Sequence, residues 1–340
     1  MVRIRPRSAG GTPSIPRRVH LVGAGGIHMS AIGQILLERG HTVTGSDLAL
    51  SEYTERLRAL GGTIYEGHAA SNLGNAELVV ATAAAKSANP ELVEAERRGV
   101  PVISRAEMVQ RLFEGRKVLA VAGTHGKTTT SSLLALMAVR GGLDPLALLG
   151  GDARELGGNA RDGKGEFAVV EADEYAEAFL QYTPHLALVT NVEADHLDYY
   201  GSEERYTTAF ARFAERVKPE GTLIVCADSP GAARLGDGRR AAGARVERYA
   251  VSPAGPSAAE WQALNLRVNP EGAFDFTAVL DGSELGRVTL RVPGRHNVAN
   301  ALGALAIAMR AGVDFHRAAL AAAEFTGARR RFELVGESAA

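Results

Sequence analysis

The chain has 340 residues, with 38 lysines and arginines against 39 acidic residues, and this balance removes any global electrostatic case for nucleic acid or an anionic membrane as partner. One cysteine, Cys226, excludes an internal disulfide and suits a reducing compartment, and no apolar run approaches the roughly 20 residues that span a bilayer or has the form of a secretory signal. The length exceeds what one core usually fills, so a cytoplasmic protein of two domains is expected.

Residues 1–18, rich in arginine, proline and glycine, read as a basic, disordered leader. From Val19 the pattern becomes strand, glycine turn, helix, strand: Val19 to Val22, Gly23 to Gly26, Met29 to Arg39, then His41 to Thr44 ending at Gly45-Ser-Asp47. Strands at Leu78 to Ala81 and Val100 to Ile103 alternate with helical stretches at Tyr53 to Leu60 and Pro90 to Arg98. A Rossmann-like α/β domain over 19–113 follows from this alternation.

A second α/β domain, of the mononucleotide-binding P-loop type, is predicted over 114–327. Its first strand, Val118 to Ala122, breaks into Gly123-Thr-His-Gly-Lys-Thr-Thr129 and opens a helix. Further strands are expected at Phe167 to Glu171, Leu186 to Thr190 and Thr222 to Cys226, with a helix from Ser202 to Val217. Alternating apolar residues between Trp261 and Val292 predict antiparallel strands added to the same sheet, and alanine-rich helices follow at Asn297 to Ala311 and Phe315 to Phe325.

The glycine turn is a phosphate cradle on physical grounds. Gly123 and Gly126 let the backbone approach an anion, the helix start aims N–H groups at it, Lys127 adds positive charge, and Thr128 offers a hydroxyl to magnesium on the same phosphates. Glu171 stands at a strand end from which a carboxylate reaches that magnesium; capping a helix is the plainer alternative. His196, flanked by Asp195 and Asp198, offers ligands for a second hard cation. Asn297 and Asn300 share a helix face, where they either cap the helix or touch a base or ribose. In the first domain, His28 replaces the third glycine of the dinucleotide fingerprint. Gly25, Gly26, Ile27, His28 and Asp47 therefore suit the diphosphate and ribose of a UDP-sugar as well as those of NAD, and the second nucleotide site argues against a dehydrogenase.

Together, Gly25-Gly-Ile-His-Met-Ser30, Gly45-Ser-Asp47, Gly123-Thr-His-Gly-Lys-Thr-Thr-Thr130, Glu171-Ala-Asp-Glu174, Thr190-Asn-Val-Glu-Ala-Asp-His196, Gly294-Arg-His-Asn-Val-Ala-Asn300 and Arg330-Arg-Phe-Glu333 resemble the Mur ligases, in the right order from Val19 to Glu337. The resemblance implies ATP-driven amide synthesis. The γ-phosphate would pass to the lactyl carboxylate of UDP-N-acetylmuramate, and the amine of L-alanine would attack the acyl phosphate. Lys127, Glu171 and His196 would be catalytic. The ATP contacts would be Gly123, Thr124, His125, Gly126, Lys127, Thr128, Thr129, Asn297, Asn300 and Arg331. Mg2+ would be held by Thr128, Glu171 and His196, the UDP moiety by Gly25 to His28 with Asp47, and the sugar would face His125. Two departures stand out: Ala176 replaces a common aspartate, and no lysine near His196 matches the carbamylated lysine of sister ligases. Family members also continue into a third domain that binds the amino acid, so 328–340 reads as the start of a linker to it. The other readings are a ligase that attaches a ready-made tripeptide to the same sugar nucleotide and a non-catalytic nucleotide-binding relative.

Overall fold

The computed structural model describes residues 14–251 and 259–328; most of the leader and the Arg330-Arg-Phe-Glu333 segment lie outside the described residues. Two compact units divide between Gly115 and Arg116. The first runs β1 (Arg18–Val22), α1 (Ile27–Glu38), β2 (Thr42–Asp47), α2 (Glu52–Ala59), β3 (Thr63–Glu66), β4 (Leu78–Ala81), α3 (Pro90–Arg98), β5 (Val102–Ser104) and α4 (Arg105–Leu112). Its sheet is parallel throughout in the order β3-β2-β1-β4-β5, the doubly wound arrangement, with the glycine turn after β1 at the point where strand order reverses. The first strand begins at Arg18, inside the expected leader, because the Arg18 backbone N–H donates to Glu77 and its guanidinium to the Asn75 carbonyl.

Beneath this sheet lies a buried polar knot centred on Glu91, which is fully buried. Its carboxylate accepts from Ser46 Oγ at 2.6 Å and Asn72 Nδ2 at 2.8 Å, with His68 Nδ1 at 3.2 Å and His20 Nε2 at 3.6 Å. Burial alone would push this carboxyl up; His20, Ser46 and Asn72 more than reverse that and hold it at about 2 instead of 4.5. A depressed carboxylate stabilises the fold above its unfolded value and loses that contribution as pH falls through its folded value. Glu91 should therefore supply about 3 kcal/mol that disappears between pH 4.5 and 2. Denaturant unfolding of the wild type and Glu91→Gln across that range should show their stabilities converging on acidification; parallel curves would refute the assignment.

The second unit continues with β6 (Lys117–Ala122), α5 (Lys127–Arg140), β7 (Leu146–Ala153), β8 (Gly158–Asp162), β9 (Phe167–Glu171), β10 (Leu186–Val189), α6 (Leu197–Tyr200), α7 (Glu203–Glu215), β11 (Thr222–Cys226), α8 (Pro230–Ala241), β12 (Val246–Val251), β13 (Trp261–Val268), β14 (Phe274–Leu280), β15 (Ser283–Thr289), α9 (Arg295–Arg310) and α10 (Phe315–Glu324). Ten strands form one sheet in the order β15-β14-β13-β12-β11-β10-β6-β9-β7-β8. The run from β13 to β7 is parallel, and the antiparallel pairs lie at the edges: β13 with β14, β14 with β15, and β7 with β8. The expected antiparallel addition is present, with β13 itself joining β12 in parallel.

The central strands are buried on both faces, so they read as continuous apolar runs rather than alternations. Leu119, Val121, Leu188, Ile224 and Cys226 pack in one cluster with α5, α9 and α10, while Val225 turns the other way toward Gly236 of α8. Cys226 is core, as expected. The last described segment is fastened to β7. Ala328 bridges Ala153, and Thr326 donates to Glu155 through both its backbone N–H and its hydroxyl. No described helix is long and apolar enough to cross a membrane.

Candidate active site

In the second unit β6 is central, with β10 on one side and β9 on the other, and the C-terminal ends of these three strands carry every candidate described in that unit except Asn297 and Asn300. Open parallel sheets place ligands at such a reversal. The turn after β6 needs glycine twice. Gly123 has φ 135° and Gly126 φ 81°, and a Cβ at either would lie 2.0 Å from Thr190 Oγ1 or 2.4 Å from Asn300 Oδ1 respectively.

Asn191, which sequence reasoning did not single out, shapes this turn. Its carbonyl accepts from the Thr124 N–H, its Oδ1 accepts from the His125 N–H at 2.8 Å, and its Nδ2 donates to the His125 carbonyl. The Thr124 hydroxyl is engaged by the Glu193 backbone and the Tyr206 hydroxyl and is buried, whereas the His125 side chain is exposed. The donors aimed outward are thus the N–H groups that open α5. No side chain caps this end, and the first rung of the helical ladder is Thr130 N–H to Gly126 O.

Lys127 Nζ lies 2.6 Å from Gly123 O, 2.9 Å from Thr124 O and 2.9 Å from Glu174 Oε1. Glu174 is almost fully buried; burial pushes its carboxyl up, and Lys127 opposes that shift. His196 Nε2 stands 3.7 Å from Glu174 Oε1, its ring edge-on to Tyr175, and the Tyr200 hydroxyl donates to the Glu174 carbonyl. Around this carboxylate Ala176, Glu177 and His196 all have positive φ without being glycine, a strained backbone of the kind that collects at functional sites. The structure therefore joins His196 to Lys127 through Glu174, a residue the sequence offered only as part of a motif.

Glu171 pairs with Val121 in register, and its carboxylate lies across β7, where a Cβ on Gly150 would approach Oε2 to 2.2 Å. Thr128 is buried in the first turn of α5, followed by the partly exposed Thr129. Asn297 donates to the Pro293 carbonyl and accepts from Asn300 Nδ2, which anchors the start of α9; the remaining Asn300 oxygen presses on Gly126. Neither asparagine caps a free N–H of α9: Asn297 ties the helix start to Pro293, and Asn300 borders the glycine turn. Arg331 lies outside the described residues.

Among the described residues no three acidic, histidine or cysteine side chains gather as a metal site. Magnesium is commonly held by substrate phosphates and water with one or two protein oxygens, and the hydroxyl of Thr128 and the carboxylate of Glu171 fit that donor set. The glycine cradle and uncapped helix start fit the phosphates themselves.

The glycine turn of the first unit is tied down by β2. Gly23 and Ala24 N–H donate to Ser46 O at 2.9 Å, and Gly25 N–H donates to Asp47 Oδ2 at 2.7 Å. Asp47, considered as a ribose acceptor, here clasps the turn. Gly26 ends the turn and Ile27 opens α1, two residues before the expected start, with no side-chain cap. His28 Nδ1 lies 2.7 Å from Arg105 Nη1, so the residue that breaks the dinucleotide fingerprint is engaged by the first residue of α4, which sequence reasoning missed.

Comparisons with known proteins place both units in one family. The Mur ligase family catalytic domain matches residues 18–117 and the Mur ligase middle domain matches 121–308. The UDP-N-acetylmuramate–L-alanine ligase of Syntrophotalea carbinolica is 44% identical over 317 residues, covering 93% of this chain and 68% of the relative. The ligase of the same name from Mycobacterium tuberculosis H37Rv is 47% identical over 329 residues, covering 94% and 66%. Among solved structures, UDP-N-acetylmuramate-alanine ligase from Thermotoga maritima aligns with TM-score 0.82 at 30% identity, covering 94% of this chain and 71% of that one. A UDP-N-acetylmuramate:L-alanyl-gamma-D-glutamyl-meso-diaminopimelate ligase from Neisseria meningitides aligns at 0.81 and 32%, covering 92% and 99%. The chain spans about two thirds of the length of these curated relatives.

Proposed function

The chain belongs to the Mur ligase family, and from that premise we propose that it carries the nucleotide and sugar sites of an ATP-dependent ligase that joins L-alanine to the lactyl carboxylate of UDP-N-acetylmuramate. The observation that carries this reading is the cradle after β6 with Lys127, Glu171 and His196 at neighbouring strand ends, in a chain 44% identical to a ligase of that name. Phosphoryl transfer to a carboxylate crowds negative charge, so its barrier falls mainly through cations and positioning.

In this reading Lys127 and the N–H groups of α5 neutralise the β- and γ-phosphate oxygens, with Gly123 to Thr129 forming the cradle. Thr128 and Glu171 would hold magnesium and His196 would orient or ligate a second cation; the metal would supply charge neutralisation at the transferred phosphate. Asn300, Asn297 and Arg331 border the nucleotide. Gly25 to His28 and the open start of α1 receive the UDP diphosphate, with Asp47 fixing the turn, and the exposed His125 side chain faces the sugar. The lactyl carboxylate takes the γ-phosphoryl group to give an acyl phosphate, L-alanine attacks its carbonyl carbon, and ADP and phosphate leave. Consumption of ATP and a nucleotide sugar, together with the single buried cysteine, suits the cytoplasm.

The chain spans about two thirds of the length of each of these curated relatives, and the decisive test of the reading is ligand binding. Calorimetry should show ATP and UDP-N-acetylmuramate each binding the purified chain with one-to-one stoichiometry, while ADP release on adding L-alanine stays low. If neither ligand binds, the reading fails. The similarity to the Neisseria tripeptide ligase makes the tripeptide the competing acceptor; adding it in place of L-alanine, with the rest of a relative supplied in trans, separates the two. Nucleotide binding without turnover under those conditions would favour a non-catalytic relative.

A further inference from the structure

We propose that Glu174 is a positioning residue that holds Lys127 in reserve and must surrender it when a polyphosphate enters the cradle. This rests on the functional reading above and adds a determinant of nucleotide affinity to it. An ammonium has three donors, and all three of Lys127 have acceptors inside the protein: Gly123 O, Thr124 O and Glu174 Oε1. A phosphate oxygen can therefore gain this lysine only by displacing one of them. The two carbonyls belong to the turn itself and move with it, so the exchangeable partner is the carboxylate.

The surroundings of Glu174 favour that exchange. Its second oxygen, Oε2, is buried with no hydrogen-bond partner among the described residues, so its hold on this position is incomplete. His196 Nε2 lies 3.7 Å from the first oxygen and can receive the carboxylate once Lys127 leaves. Backbone carbonyl bonding to the Tyr200 hydroxyl, with positive φ at Ala176 and Glu177, fixes the main chain, so the change is confined to the side chain. An approaching polyphosphate thus meets two opposing effects of one residue: Glu174 competes for the lysine and repels the anion.

Glu174→Gln keeps the shape, removes the charge and leaves a weaker, neutral acceptor for Lys127. The variant chain should bind ATP about tenfold more tightly than wild type in calorimetry with EDTA, the effect of one charge removed beside a polyanion, and the gain should shrink with magnesium present. Loss of a merely structural carboxylate would weaken binding instead. Should the glutamine variant fail to fold, Glu174→Asp, which withdraws the carboxylate from Lys127 by one methylene, should tighten ATP binding in the same direction. Wild-type binding with a folded variant that binds no more tightly overturns the proposal alone. Absence of ATP binding in the wild type overturns the functional reading and this proposal with it, and UDP-N-acetylmuramate affinity, measured in parallel, should not change.

Discussion

Lys127→Ala should weaken ATP binding by at least about a hundredfold, close to 3 kcal/mol, while leaving the affinity for UDP-N-acetylmuramate unchanged. The ammonium is the only lysine charge among the cradle residues, and the contacts proposed for the UDP moiety, Gly25 to His28 with Asp47, lie in the other unit. The same substitution should also destabilise the fold. It strands the Glu174 carboxylate, 1% exposed, without the cation that offsets its burial, and breaking such a pair costs about 3 kcal/mol. Thermal unfolding separates the two effects. Lys127→Ala combined with Glu174→Gln should recover most of the lost stability but only the part of the lost ATP affinity that repulsion by the stranded Glu174 carboxylate accounts for. Equal loss of both ligands in the single variant would mean global unfolding and would remove the assignment of Lys127 to the triphosphate.

Gly126→Ala is expected to cause the second largest loss of ATP affinity. The residue has φ 81°, where a side chain costs about 1 kcal/mol, and its Cβ would lie 2.4 Å from Asn300 Oδ1. Asn300 would have to swing away and give up its 3.0 Å bond to Asn297, a further 1 kcal/mol or so. A total loss of about 2 kcal/mol, with at least a tenfold drop in ATP affinity, should follow from moving the start of α5. Gly157→Ala is the matched control: its φ is 77° and nothing lies within 4 Å of its Cβ, so only the backbone penalty should appear. In Gly126→Ala with Asn300→Gly the steric part should vanish. If Gly126→Ala and Gly157→Ala are indistinguishable, Asn300 does not brace the cradle.

The parts of the fold that depend on local chemistry were legible in the sequence, and those that depend on distant partners were not. Apolar runs ending in glycine announced β1 and β6, and Lys127-Thr128 announced α5, because turn conformation and helix start are written in adjacent residues. Helix α8 was hidden by its glycines, yet those glycines are why it packs closely: a Cβ at Gly231 would meet Val192 O at 2.1 Å and one at Gly236 would meet Val225 at 2.7 Å. Strand β7 was missed for a similar reason, since Gly150 interrupts its apolar pattern and a Cβ there would meet the Glu171 carboxylate at 2.2 Å. At the sites, residue types were legible but partners were not. The strand end marked Glu171, whereas Glu174 stood only within a motif, and only the packing shows that it holds Lys127. Asp47 was found at the end of its strand, but its bond to Gly25 depends on how β2 lies beside the turn.

Strand β7 serves two masters. Gly150 is the floor on which the Glu171 carboxylate rests, and three residues on, about 10 Å at strand spacing, Ala153 bridges Ala328, while Glu155, just past the strand, accepts from Thr326. The anchor of Ala328 and the perch of the carboxylate proposed for magnesium thus share one strand, so a change in the glycines of β7 would bear on both at once.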